Sequence, residues 1–230
     1  MKALANLRRI LRRESEFDLR ELPGLLGRDD PVILEVGCND GSHTLRFLEL
    51  FPRATVYCFE PDPRARERFG YLVRSDRAKL FPFAVSDRDG TATFHASGGQ
   101  PPPEWRVELP KGWDGSGSLK TPTGHIETHP WCKFDETFEV ETRRLDSWRE
   151  AEGVARVDFV WADVQGAEAE LIGGGPETFA LARFFYTECM PRPLYEGAPS
   201  LKELLRLLPN YRVLKRFTDD VLLRNENAGR

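Results

Sequence analysis

The stretch Val32-Ile-Leu-Glu-Val-Gly-Cys-Asn-Asp-Gly-Ser42 constrains this chain more than any other. Ile33 to Val36 is an apolar run broken only by Glu35, as a central parallel strand would be, and a tight turn and a helix start follow it. One helix later Val56-Tyr-Cys-Phe-Glu-Pro61 reads as a second strand ending in a carboxylate. Strand, glycine turn, helix and acid-tipped strand form the opening unit of a doubly wound sheet. Gly37 and Gly41 allow close backbone approach, and Glu60 stands where ribose hydroxyls would be held. The expectation is a nucleoside-bearing cofactor.

The turn narrows the choice of cofactor. A dinucleotide fold wants G-x-G-x-x-G, with pyrophosphate against an open helix N-terminus. Here the spacing is Gly37-Cys-Asn-Asp-Gly41, with Glu35 before it and Asp40 inside it. Two acidic groups repel a pyrophosphate and suit a sulfonium or ammonium. The loop favours S-adenosyl-L-methionine over NAD.

The remaining strands and helices predict a three-layer α/β/α, Rossmann-like sheet, mostly parallel, with a C-terminal antiparallel hairpin. Length suits one domain, read over residues 31–225, since 230 residues are few for two. Leu4, Leu7, Ile10 and Leu11 recur at helical spacing among Arg8, Arg9, Arg12 and Arg13, which predicts a basic amphipathic helical extension over residues 1–30. Ser42 is placed to cap a helix ending before Pro52, and a further helix over Pro63 to Val73 is expected to turn Phe69 and Leu72 inward. Leu80 to Val85 reads as a third strand, Val157 to Ala162 and Phe184 to Thr187 as later ones, and Gly166 to Ile172 as a helix stopped by three glycines. Ser200-x-x-Glu203 is a capping box, and Tyr211 to Phe217 with Val221 to Leu223 flanks a turn.

Between Ser97 and Lys133 the regularity stops. Runs such as Gly98-Gly-Gln-Pro-Pro-Pro103 and Gly112-Trp-Asp-Gly-Ser-Gly-Ser118 sustain no regular element, yet Trp105, Trp113 and Trp131 argue against a disordered linker. An inserted loop or lid over residues 97–133 is expected.

A net charge of -4 gives no polyanion-seeking signature, so nucleic acid is not an expected partner. No stretch has signal-peptide or membrane-span character, which favours a cytoplasmic protein. Cys38, Cys58, Cys132 and Cys189 show no C-x-x-C pairing and read as reduced thiols. His125, Glu127, His129 and Cys132 loosely suggest zinc, but H-x-E-x-H is not the metalloprotease order and Pro130 interrupts any helix, so no metal site is expected. Were a cation to assist at Asp163 and Glu188, oxygen ligands would favour magnesium.

Four blocks give the chain a resemblance to the FkbM-type methyltransferases, a branch of the class I S-adenosylmethionine-dependent fold, from about Val32 to Asn225. They are Glu35-Val-Gly-Cys-Asn-Asp-Gly41, Phe59-Glu-Pro61, Leu145-Asp146 and Asp163-Val-Gln-Gly-Ala-Glu168. The last is similar to the family's D-V-E-G-A-E signature, with Gln165 where glutamate is usual, and Gly115-Ser-Gly-Ser-Leu119 resembles its serine-rich segment. The resemblance implies that Gly37, Asn39 and Gly41 line the methionine part of the cofactor, that Glu60, followed by Pro61, holds the ribose, and that Ala84, Val85 and Ser86 lie near adenine. Glu35, Ser42 and Asp163 complete the expected cofactor shell.

Methyl transfer mainly requires alignment of the acceptor, and an alcohol must also lose a proton. Asp163 and Glu188 end neighbouring strands, where open sheets bind ligands, and Glu168 follows one turn on, so the three are expected to converge. His43, just after the glycine loop, is a rival base. The expected activity is O-methylation of a hydroxyl on a sugar, glycan or small metabolite, the acceptor class coming from the resemblance. The alternatives are a dinucleotide oxidoreductase and a non-catalytic cofactor-binding module. The sequence leaves oligomeric state open, a homo-oligomer included.

Overall fold

The computed structural model describes residues 17–103 and 111–228. The basic helix expected at the N-terminus lies largely outside these residues, as does Trp105. Within them, a 3-10 turn at Leu19–Glu21 and a short helix α1 (Leu22–Leu26) precede the sheet.

The first unit runs β1 (Val32–Val36), α2 (Ser42–Leu50), β2 (Thr55–Phe59), α3 (Pro63–Leu72) and β3 (Ala78–Phe81). After β4 (Ala84–Ser86) and β5 (Gly90–Gly99) come α4 (Thr123–Thr128), β6 (Cys132–Arg144), α5 (Leu145–Ala151), β7 (Phe159–Ala162), α6 (Glu168–Gly174) and α7 (Pro176–Leu181). The chain closes with β8 (Phe184–Glu188), α8 (Leu201–Leu207), β9 (Tyr211–Arg216) and β10 (Asp220–Asn225). A seven-stranded sheet has the order β3-β2-β1-β7-β8-β10-β9. Its first five strands are parallel, and β10 runs antiparallel to both neighbours.

Alternation along β1 sends Leu34 and Val36 to one face, with Trp148, Leu171 and Phe179 of α5 to α7. Ile33 goes to the other, with Phe47 of α2 and Phe69 of α3. Both faces are thus covered by helices, as a parallel sheet requires. The order of connection reverses between β1 and β7, where Val36 pairs with Ala162, and the crevice beyond their carboxyl ends is a topological switch point.

Several sequence expectations change. The strand expected over Leu80 to Val85 breaks at Pro82 and Phe83, and its second half leaves for a separate three-stranded sheet of order β4-β6-β5. Proline has no N–H to continue the ladder, and β3 ends at the edge of the sheet just before it. The insertion is narrower than expected, because β5 carries through Gly98 and Gly99 with a register shift and pairs with the start of β6. Leu72 faces solvent at 47% exposure while Phe69 is buried. The glycines after Ile172 are followed by α7, with Pro176 in its first turn. No helix among the described residues is long and apolar enough to cross a membrane.

Candidate active site

A cleft of about 590 Å³, partly open to solvent, lies at the switch point. Gly37 and Asn39 of the β1–α2 loop, Glu60 and Pro61 beyond β2, and Asp163 and Gln165 beyond β7 form its floor. Phe83, Ala84, Val85 and Phe94 give it an apolar wall, and Asp114 to Leu119 of the insertion cover it. Gly37 has φ 82°, and a Cβ there would stand 1.9 Å from the Asp163 carbonyl oxygen, so this turn admits only glycine against β7. Gly41, φ 84°, has another task. Its missing Cβ leaves room for Val73 and Phe69, and it packs α3 under the loop without lining the cleft.

Glu60 is the anchor of the loop. Its Oε2 accepts from the Asn39 backbone N–H at 2.9 Å and its Oε1 from the Asp62 N–H at 2.8 Å. Burial lifts its carboxyl to about 8 despite those two amides. Asn39 takes φ 44°, a conformation asparagine tolerates, and its side-chain amide donates to the Asp114 carbonyl at 3.2 Å. Arg68 of α3 donates to Asn39 Oδ1 at 2.9 Å and forms an ion pair with Asp114, whose carboxylate is buried. The insertion is therefore tied directly to the cofactor loop.

On the other side, Gln165 organises the carboxylates. Its Nε2 donates to Asp163 Oδ1 at 2.5 Å and reaches Glu188 Oε2 at 3.3 Å, while its Oε1 accepts from the Tyr195 hydroxyl at 2.7 Å. The same hydroxyl lies 2.7 Å from the Ser116 carbonyl, and Ser118 Oγ donates to the Gln165 carbonyl at 2.7 Å. Gln165 adopts φ 51°, unfavourable for a non-glycine residue and over-determined here by these contacts. Burial, with Asp163 and other nearby carboxylates adding to it, raises Glu168 to about 7 and Glu188 well above the carboxylate range. Asp163, Glu168 and Glu188 do not share one pocket as expected: Asp163 lines the cleft, and the two glutamates line a separate hollow behind Gln165.

Four expected cofactor residues and one expected base stand elsewhere, Gly41 being the first. Glu35 is fully buried on the α2 face, where its Oε2 accepts from Thr44 Oγ1 at 2.5 Å, because alternation along β1 turns it from the cleft. Ser42 is exposed on the outer side of α2; it is bound to Asp40 and caps nothing, the cap position being Gly41. Ser86 lines a different hollow on the β4–β6–β5 sheet. His43 is exposed and packs tilted against Trp161, ring centroids 4.6 Å apart, on the face opposite the cleft. His125 packs against Phe134 and Tyr195, and burial lowers it to about 4. No group of three His, Cys, Asp or Glu side chains with metal-holding geometry occurs among the described residues.

Sequence reasoning misses Asp114, Arg68, Phe83, Phe94 and Tyr195. Asp114 directly precedes the serine-rich segment Gly115 to Leu119, which is the signal that could have found it; the others carry no periodic or spacing signal. The charge argument for the cofactor survives with different owners. Glu60, Asp114 and Asp163 line the cleft, and no described lysine, arginine or histidine does. Carboxyl oxygens and apolar walls, with no cation among the described lining residues, suit a nucleoside bearing a sulfonium and give a pyrophosphate no partner.

The methyltransferase FkbM domain matches residues 35–214. The chain belongs to the FkbM methyltransferase family. This FkbM methyltransferase is 46% identical over 214 residues, covering 90% of its own length and 84% of the relative's, to the 2-O-methyltransferase NoeI of Sinorhizobium fredii (strain NBRC 101917 / NGR234). It uses S-adenosyl-L-methionine, and the dinucleotide alternative falls away. Solved structures similar to it include an S-adenosylmethionine-dependent methyltransferase from Aquifex aeolicus, at 12% identity, TM-score 0.47 and 95% of each chain. Another is fibrillarin from Aeropyrum pernix with natively bound S-adenosyl-L-methionine, at 15% identity, TM-score 0.46, 89% of this chain and 70% of that one. The fold assignment rests on the strand order.

Proposed function

We propose that this FkbM methyltransferase methylates a hydroxyl group of a sugar, glycan or related small metabolite. The observation that carries the proposal is the Asp163 carboxylate, which lines the cofactor cleft and is fixed by the Gln165 amide at 2.5 Å. The 46% identical relative bears the name 2-O-methyltransferase, which supports the choice of oxygen. Glu60 would accept from the ribose hydroxyls, Phe83, Ala84 and Val85 would flank adenine, and Gly37 and Asn39 would meet the methionine part. When bound, S-adenosyl-L-methionine supplies a methyl group already activated on sulfur. Asp163 then orients the acceptor hydroxyl and takes its proton at a carboxylate oxygen, while Gln165 holds Glu188 beside it. Residues 111–131 exclude water from the covered side through Asp114 and Tyr195.

The test is to supply isotopically labelled S-adenosyl-L-methionine with a panel of neutral glycosides and locate the label in the product by NMR. Label on a hydroxyl oxygen is expected. Label on nitrogen, sulfur or carbon would overturn the proposal.

A further inference from the structure

The chain carries a net charge of -4, yet residues 201–216 hold five cations and a single acid. Folding gathers them at one edge of the large sheet. Lys202 and Arg206 of α8 and Arg216 at the end of β9 line an open hollow of about 720 Å³, together with Leu201 and Leu205. None of these three cations enters an ion pair among the described residues. Arg212 is exposed on the same strand and donates to the Pro209 and Tyr211 carbonyls. The one acid, Glu203, is held by Ser200 in the cap of α8.

The same edge leaves aliphatic surface in water. Leu207 at the end of α8, with Val213 and Leu214 on β9, is exposed at 45%, and the other two at 39% and 46%. β9 pairs only with β10, so protection of a bare edge by lysine and arginine accounts for the charges on the strand itself. It does not account for the two cations of α8 that line the same hollow, nor for the aliphatic side chains beside them. The basic amphipathic segment expected ahead of Phe17 lies outside the described residues, and the chain enters them at this edge. Phe17 packs on Phe217, just after β9, and lines a hollow with Leu214 and Lys215.

We infer that the α8–β9 edge docks on an anionic lipid bilayer. Lipid phosphates neutralise the unpaired cations, and the exposed leucines and valine meet the acyl boundary, which an aqueous polyanion does not offer. The acidic remainder of the molecule is repelled by the same surface, so the attraction orients the protein as well as holding it. Arg216 stands opposite Val221, and Val221 opposite Thr187, which puts the hollow at the carboxyl end of β8, the end of the sheet where the cleft lies. Nucleic acid fits this edge less well, because Tyr211, the only aromatic residue of α8 or β9, is buried and gives bases nothing to stack on. The inference is independent of which atom is methylated.

Co-sedimentation of the full chain with vesicles tests it, using phosphatidylglycerol mixed with phosphatidylcholine on one side and phosphatidylcholine alone on the other. Binding to the mixed vesicles that weakens with added salt, and at least tenfold weaker binding to phosphatidylcholine, are expected. Lys202→Glu combined with Arg206→Glu should lower partition onto the mixed vesicles at least tenfold, while S-adenosylhomocysteine affinity, read by calorimetry, stays within twofold. The charge-preserving pair Lys202→Arg with Arg206→Lys should bind vesicles like the wild type, which separates loss of charge from loss of fold. No binding to the mixed vesicles, equal binding to phosphatidylcholine alone, or unaltered binding in the charge-reversed variant would each overturn the inference. So would complete displacement from the vesicles by inorganic phosphate or by a single-stranded RNA at equal phosphate concentration.

Discussion

Glu60, Asp163 and Gln165 show how differently three polar side chains at strand ends are employed. Glu60 spends both oxygens on the Asn39 and Asp62 amides. Glu60→Ala should therefore weaken S-adenosylhomocysteine binding by about 1–3 kcal/mol, the cost of leaving buried hydrogen-bond partners unsatisfied. Calorimetry on the folded variant checks it, and unchanged affinity would assign the ribose to another residue. Asp163→Asn keeps the shape and removes the base. Turnover should fall by roughly 10²–10⁴-fold with little change in S-adenosylhomocysteine affinity, as expected for loss of general base catalysis. Full activity would pass the role to Glu188, since His43 packs against Trp161 away from the cleft. Glu35 offers a pH test. Its folded carboxyl is raised to about 8 by burial, from 4.5, so the native state holds that proton more tightly than the unfolded chain. Its stabilising influence is complete below about pH 4.5 and is lost as pH climbs through 8. Glu35→Gln should flatten that decline and raise stability at pH 8.5 by roughly 2–4 kcal/mol, since each tenfold gain in proton affinity is worth about 1.4 kcal/mol. Urea denaturation of both proteins at pH 5.5 and 8.5 measures the difference.

At the scale of elements, the covered cleft depends on contacts between the insertion and the cofactor loop. Arg68 on α3 grips Asp114 and Asn39 together, and Trp113 meets Trp131 edge-on at 5.6 Å. If the segment closes over ligands, S-adenosylhomocysteine with acceptor should slow proteolysis within residues 97–133 and shift tryptophan emission. Arg68→Ala removes the grip while leaving α3 intact, so it should speed cleavage there and raise the KM for S-adenosyl-L-methionine several-fold. Identical cleavage with and without ligands would make the segment a fixed wall.

At the scale of the molecule, the amino-terminal side of the sheet is held by a charge cluster. Asp158 is fully buried, accepts from the Val32 N–H at 2.9 Å, and lies within 3.5 Å of the guanidiniums of Arg28, Arg156 and Arg183. The cluster joins the starts of β1 and β7, the two strands whose opposite ends make the site. Asp158→Ala leaves the Val32 N–H without its acceptor and the three arginines with only Asp30 and backbone carbonyls, and should destabilise the fold by about 1–3 kcal/mol, the cost of an unsatisfied buried group. A lower Tm with unchanged S-adenosylhomocysteine affinity in the folded fraction is the expected outcome.

Sequence alone determined the sheet, its hairpin, the glycine turn, Glu60 at the end of β2 and Asp163 at the end of β7. These follow from local patterns of apolar runs, turn residues and strand-end acids, which act over a few neighbours. The site's remaining parts were decided by tertiary structure. Glu35 reads as a cofactor acid until the pleat of β1 turns it under α2 against Thr44. Asp114 reads as a loop residue until Arg68, 46 positions away, draws it into the cleft. Tyr195 meets Gln165 across 30 positions, and Ser116 across 79. Such contacts leave no periodic trace, because the residues that make them are adjacent only after the strands have assembled in the order that places β1 beside β7.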